Sequence, residues 1–216
     1  MTRFARFPDR VAAGVELGRG LGHLAGRGDV LVLGLPRGGV PVAAEVARAL
    51  RAPLDVFMVR KIGLPGRVEL AVGALASGGV RVLNERVIQA AGIGVEELEG
   101  LAARAAEKLA EHERHYRGDR PAPAVGGRLV VVVDDGLATG ATMRAAVSAL
   151  RELGAGQVVA AVPVAPTETC ARLSPLVDEL VCLHTPEPFV AVGAWYEDFS
   201  PTADEEVQRL LATGPR

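Results

Sequence analysis

Residues 129–142 constrain this chain more than any other stretch: Leu-Val-Val-Val-Val-Asp-Asp-Gly-Leu-Ala-Thr-Gly-Ala-Thr. A short unbroken aliphatic run bounded by turn residues reads as a strand buried on both faces, as in the middle of a parallel sheet. The run stops at two adjacent carboxylates. A loop of small residues and two threonine hydroxyls follows, and then Met143, Val147 and Leu150 recur at helical spacing until Gly154, a left-handed cap candidate. Strand, loop and helix in that order make a unit of a parallel α/β fold, in which ligands sit beyond the carboxyl ends of the strands.

The same order recurs along the chain. Residues 29–34 form a short apolar strand, broken by Leu35-Pro36-Arg37-Gly38-Gly39 and followed by a helix over 40–50. Residues 53–60 read as a second buried strand ending in the basic pair Arg60-Lys61, and 158–164 and 180–183 as further strands with a short helix over 168–173 between them. The expected architecture is α/β, an open, mostly parallel sheet with helices on both faces and right-handed crossovers.

Other segments surround this core. A helix over 8–24 has Asp9 as its cap and Val11, Val15, Leu17, Leu21 and Leu24 as its apolar positions, and is weakened by Gly14, Gly18, Gly20 and Gly22. Gly63, Pro65 and Gly66 place a loop over 62–69, and Ser77-Gly78-Gly79 joins two short strands at 70–76 and 80–83. The longest helical pattern covers 96–117, with Leu98, Leu101, Ala102, Ala105 and Leu109 on one stripe, and a Pro/Gly-rich linker covers 119–127. The chain is therefore expected to be a single domain over 1–216, with a helical insertion at 84–127 and a C-terminal hood at 185–216. The hood carries Phe189, Trp195, Tyr196 and Phe199.

The formal charge is -2, from 24 basic and 26 acidic residues, so no broad positive field is present to attract nucleic acid, and any anion must be caught locally. The longest apolar run is far short of the ~20 residues that cross a bilayer. Charged Arg3, Arg6, Asp9 and Arg10 without an apolar core between them argue against a secretory signal, which leaves a cytoplasmic location as the expectation. Cys170 and Cys182 read as buried free thiols, and His112 and His115 as surface residues of the long helix.

A phosphate at residues 138–142 would meet backbone N–H groups at a helix start, the hydroxyls of Thr139 and Thr142, and no obstructing side chain at Gly140. The helix dipole contributes only about 0.3–1 kcal/mol, whereas each charge-assisted hydrogen bond is worth about 1.5–3 kcal/mol. The bonds dominate. Asp134 and Asp135 would repel the phosphate if they faced it, so they should face sugar hydroxyls or a hard cation, for which Mg²⁺ is the natural choice. The sequence has neither the Gly-Lys pair of a P-loop nor the glycine fingerprint of a dinucleotide fold, so an NTPase or dehydrogenase is not supported.

Residues 130–142, four aliphatics and then Asp-Asp-x-x-x-Thr-Gly-x-Thr, resemble the phosphoribosyl pyrophosphate (PRPP) signature of type I phosphoribosyltransferases. The resemblance implies that fold with a small hood of helices and short strands. It also implies an acidic pair, Asp134 and Asp135, that takes the ribose hydroxyls, with Mg²⁺ alongside and water possible in between. The 5′-phosphate would bind in the loop of Gly136, Leu137, Ala138, Thr139, Gly140, Ala141 and Thr142. Gly136 stands where the family usually has an aliphatic.

The family's pyrophosphate loop is resembled by residues 35–39, with Arg37 as the cation and Gly38 and Gly39 allowing backbone approach. Its second basic pair is resembled by Arg60 and Lys61. Residues 59–63 and 192–199 further resemble a bacterial group of predicted phosphoribosyltransferases.

The implied chemistry is transfer of the 5-phosphoribosyl group to a nucleobase or amine with release of pyrophosphate, catalysed through Asp134, Asp135, Arg37 and Lys61. The resemblance also implies a homodimer. Phe189-Val190 resembles a base-stacking pair of purine-using relatives, and Tyr196 joins it as an acceptor candidate, although core packing accounts for these aromatics equally well. A PRPP- or nucleotide-binding regulatory protein without turnover is the alternative function.

Overall fold

The aliphatic runs form the strands expected of them, and their pairing decides the geometry of the molecule. The structure is a computed structural model describing residues 5–64, 67–118 and 120–214. Pro65 and Gly66, expected in a loop, and Asp119, expected at the start of the linker, lie outside the described residues. In chain order the strands are β1 (Val30–Gly34), β2 (Leu54–Val56), β3 (Val59–Leu64), β4 (Arg67–Ala76), β5 (Arg81–Leu83), β6 (Leu129–Val133), β7 (Gln157–Val164) and β8 (Glu179–His184). The helices are α1 (Arg10–Gly20), α2 (Gly39–Leu50), α3 (Glu85–Ala91), α4 (Val95–Arg117), α5 (Ala141–Glu152), α6 (Thr167–Leu173) and α7 (Asp204–Thr213).

Five strands make one parallel sheet in the order β2-β1-β6-β7-β8, so the strand of the opening motif lies at its centre. Alternate residues of each strand feed two separate cores. Val30, Val32, Leu129, Val131 and Val133 pack with α1, α2, α4 and α7, whereas Leu31, Leu33, Val130 and Val132 pack with α5 and α6. Coverage on both faces is why these strands are continuously apolar rather than alternating. The fold class is as expected, α/β, with an open parallel sheet covered by helices on both faces.

Three expectations are corrected. The second strand does not run over 53–60: β2 ends at Val56, and Val59 opens β3 in a separate antiparallel sheet, β3-β4-β5. Arg60-Lys61 therefore stands inside the small sheet and not at the end of a core strand. The loop expected over 62–69 is largely strand as well, with register shifts on both sides of Gly63. Local glycine and proline signals are outweighed there by pairing with residues far along the chain, a contribution that a single-sequence reading does not see.

Helix α1 is the third correction. Asp9 caps it, its carboxylate accepting from Ala12 N at 2.7 Å, but Val11 and Val15 face solvent. The buried face is Ala13, Gly14, Leu17 and Gly18. A Cβ on Gly14 would lie 2.8 Å from Glu45 Cβ, and one on Gly18 2.7 Å from Ala49 Cβ. The glycines that weaken the helix in isolation are what let it lie against α2.

Candidate functional site

Because β1 and β6 are adjacent and parallel, the loops that follow them emerge side by side at the carboxyl edge of the sheet. Leu35 N donates to Val133 O at 2.9 Å and fastens the first loop to the end of β6. The Pro36–Arg37 peptide is cis. A Cβ on Gly39 would come within 2.7 Å of Val133 O and 2.9 Å of Asp134 Cα, and one on Gly38 would collide with the Asp135 carboxylate. The two glycines are required because the first loop lies directly on the acidic pair.

The second loop divides into residues that build it and residues that it presents. Gly136 and Leu137 are buried, and Leu137 N donates to Val164 O at 2.9 Å. A Cβ on Gly136 would lie 2.5 Å from Val192 Cγ1, so the tail fills the volume that an aliphatic at 136 would occupy. Buried Thr169 donates its hydroxyl to Ala138 O at 2.8 Å, and Arg144 donates to Thr139 O at 2.8 Å. Gly140 adopts φ +69° as the residue before α5, a left-handed conformation that glycine takes without steric cost. Ala138, Thr139 and Thr142 are exposed at the helix start.

The acidic pair sits deep in the angle between the loops. Burial is the largest influence on both carboxyls and pushes both pKa values up. The neighbouring Asp135 adds repulsion at Asp134, while at Asp135 the Arg10 guanidinium opposes the rise. Arg10 Nε donates to Asp135 Oδ2 at 2.8 Å, and the Tyr196 hydroxyl donates to Asp135 O at 2.5 Å.

The basic candidates are spread around this centre. Arg37 is exposed, its Nη1 standing 3.8 Å from Asp204 Oδ1 at the start of α7. The same Asp204 oxygen accepts the Tyr116 hydroxyl at 2.5 Å, and burial followed by that carboxylate pushes the phenol's pKa up. Lys61 is exposed and lines a cleft of ≈ 700 Å³ together with Asn84, Arg86, Ala141, Thr142 and Arg144. The cleft thus brings Lys61 to the first turn of α5. Arg60 is half-buried and does not line it, and neither do Arg37 or the acidic pair.

The acceptor candidates separate. Tyr196 is 2% exposed, packed beside Phe7 and Phe199, with its hydroxyl committed to Asp135, so neither ring face is open to a base. Phe189 is half-buried with its ring centroid 6.3 Å from that of Trp195, and Val190 is exposed to solvent. Cys170 and Cys182 are free and half-buried, and burial pushes the Cys182 thiol's pKa up. His115 stands 3.8 Å from Asp204, and no group of three or more metal-ligating side chains occurs among the described residues. No helix among them is long and apolar enough to cross a membrane.

Sequence reasoning missed Arg10, Thr169 and Asp204. No local signal marks them, because each reaches the site from an element remote in sequence. Tyr196 did stand out as an aromatic, but nothing in its neighbours indicated a buttress.

Comparison with known proteins adds three findings. The family model described as phosphoribosyl transferase domain matches residues 19–184. Two proteins of Mycobacterium tuberculosis, from strains CDC 1551 / Oshkosh and H37Rv and each named provisionally as a phosphoribosyl transferase, are 46% identical over 205 residues. That alignment takes in 95% of this chain but 46% of each relative, so the chain spans about half the length of the curated relatives it matches. The crystal structure of TT1426 from Thermus thermophilus is similar over 98% of this chain and 100% of its own, with 46% identity and a TM-score of 0.84.

Proposed function

The chain belongs to the phosphoribosyl transferase domain family, and from that premise we propose that it binds PRPP with Mg²⁺ and transfers the 5-phosphoribosyl group to a nucleophile, releasing pyrophosphate. The observation that carries this reading is the abutment of two loops on neighbouring parallel strands. An acidic pair lies at their junction, a helix start with exposed Ala138, Thr139 and Thr142 stands on one side, and a glycine pair with a cation stands on the other.

In this reading the 5′-phosphate is held by backbone N–H groups and hydroxyls at Ala138, Thr139 and Thr142, and Gly136, Leu137, Gly140 and Ala141 shape the loop. The ribose hydroxyls face the acidic pair. Arg37 and Lys61 draw the diphosphate, with Arg60, Gly38 and Gly39 beside it. The Arg37–Asp204 pair is long and exposed, worth ~0–1 kcal/mol, so a polyanion displaces it at little cost.

Asp134 and Asp135, with no group of three or more ligating side chains among the described residues, would suit a hard cation that also binds substrate phosphates and water. Mg²⁺ bound there would neutralise charge on the departing diphosphate. The protein's share is orientation and fixed charge around a cation-like sugar at C1, which needs no covalent help from a side chain.

The acceptor is a nucleobase or amine, with Phe189 and Val190 retained as its candidate wall and Tyr196 removed from it by burial. We include a cytoplasmic location and a homodimer in the same proposal. Titrating PRPP with Mg²⁺ while following thermal stability tests the donor. Stabilisation of the wild type that disappears in Asp134→Asn is expected, and no stabilisation at millimolar ligand refutes the reading. A screen for pyrophosphate release over purines, pyrimidines and amines then separates an enzyme from a PRPP-binding regulator.

A further inference from the structure

We propose that the two adjacent carboxylates have different tasks: Asp134 is the one that meets the ribose and its cation, and Arg10 is a positioning residue that acts through Asp135. The inference rests on the PRPP reading above and deepens it.

Asp135 is engaged through both its side chain and its backbone. Its carboxylate accepts from Arg10 Nε at 2.8 Å, and its carbonyl accepts the Tyr196 hydroxyl at 2.5 Å. Arg10 is in turn fixed from two further directions. Its Nη1 donates to Ser200 O at 2.7 Å, and its guanidinium lies 3.9 Å from the centre of the Phe199 ring. The Arg10 and Asp135 side chains are only 11% and 14% exposed. The first residue of α1 thus holds the Asp135 carboxylate, while the tail from Tyr196 to Ser200 holds the Asp135 carbonyl and Arg10 itself.

Asp134 is different. Its Oδ1 accepts the Asp135 backbone N–H at 2.9 Å, and no cation stands within ion-pairing distance of it among the described residues. Two free carboxylates beside a polyphosphate would repel it. Pairing one of them internally leaves a single net negative charge to face the sugar and its metal. Arginine suits the task because its planar fork reaches a carboxylate, a carbonyl and an aromatic face at once, which a lysine ammonium cannot do. If Arg10 is removed, Asp135 becomes an uncompensated charge free to rotate toward the ligand.

Calorimetric titration of PRPP with Mg²⁺ into the wild type, Arg10→Gln, Arg10→Lys, Asp135→Asn, Asp134→Asn and the Arg10→Gln/Asp135→Asn pair tests this. Arg10→Gln should weaken binding about tenfold, or about 1.4 kcal/mol, and Arg10→Lys should recover part of that loss. Because Arg10 acts through Asp135, adding Arg10→Gln to Asp135→Asn should change Kd by less than about twofold. Asp134→Asn should lose far more affinity than Asp135→Asn.

Three results overturn the proposal. One is an Arg10→Gln penalty as large in the Asp135→Asn background as in the wild type, which would put Arg10 on the ligand itself. Another is Asp135→Asn binding as poorly as Asp134→Asn. The third is an Arg10→Gln variant with a lower melting temperature but wild-type Kd, the mark of a structural role alone. A wild type that binds no PRPP refutes the donor reading and this inference with it, whereas additive losses refute only the positioning role.

Discussion

Replacing Arg117 with methionine should destabilise the protein by breaking a buried ion cluster. Arg117 ends α4 and its side chain is 4% exposed. Its Nε donates to Asp55 Oδ1 at 2.8 Å, its Nη1 to Glu113 Oε1 at 3.0 Å and its Nη2 to Val56 O at 2.5 Å. Glu113 also accepts the Ser77 hydroxyl at 2.5 Å, and Ser77 Oγ accepts Met58 N at 2.9 Å. One guanidinium therefore joins the end of β2, the long helix and the turn after β4.

Methionine keeps most of the apolar stem but leaves two carboxylates without their cation and one carbonyl without this donor. Losing one partner of a buried pair costs about 3–5 kcal/mol. Because the Asp55 and Glu113 side chains remain 13% and 23% exposed, water can reach them and the cost falls to about 2–4 kcal/mol. In a domain of this size that corresponds to a fall in Tm of about 5–15 °C. Calorimetry of Arg117→Met against wild type measures it, and adding Asp55→Asn should recover part of the loss by removing one stranded charge. A change under about 2 °C in Tm, or a double variant less stable than Arg117→Met, would show that the acids are solvated without the arginine and would refute the reasoning.

Two further outcomes follow from the packing and hydrogen bonding around the sheet. Gly136→Val, which restores the family's usual aliphatic, should cost about 1–3 kcal/mol through overpacking, because its Cβ meets Val192 Cγ1 at 2.5 Å and Val164 Cγ1 at 3.1 Å. Val192→Ala in the same chain should return part of that stability in a urea melt, and wild-type stability for Gly136→Val alone would contradict the contact. Asp178 has a lowered pKa, first because its carboxylate accepts Val158 N–H at 2.6 Å and also through Arg151 at 2.8 Å. A carboxylate depressed in the folded state stabilises it above the unfolded pKa, and this contribution is lost as pH falls through the folded value, below about pH 4. Asp178→Asn should therefore flatten the acid limb of Tm against pH, and an unchanged limb would exclude the group.

The parallel core was legible because its strands are buried on both faces and so leave unbroken aliphatic runs, as at residues 129–133. Helix α4 was legible from its stripe, and α5 from its stripe and the Gly154 cap. The small sheet was legible only in part: its β4 and β5 were expected as strands at 70–76 and 80–83 joined by Ser77-Gly78-Gly79, but β3 was not. Its strands carry Gly63 and Gly73, and their stability comes from pairings such as Lys61 with Ala74, which no local pattern encodes. Helix α1 was legible in place, although it ends at Gly20, but not in orientation, because Gly14 and Gly18 carry no hydrophobic signal and yet belong to its buried face.

The sequence by itself determined the chemistry of the central loop: two carboxylates, two threonines and two glycines, spaced so that a strand must end and a helix must begin. Only the tertiary structure decided how those groups are used. The adjacency of β1 and β6 set the glycine pair against the acidic pair. Arg10 and Tyr196, far from the motif in sequence, turned inward to bind one of the two aspartates, while no ion-pairing cation stands beside the other among the described residues. A motif fixes which atoms are present within a few residues. Which of them remain free depends on contacts from distant segments, and those exist only once the chain has closed on itself.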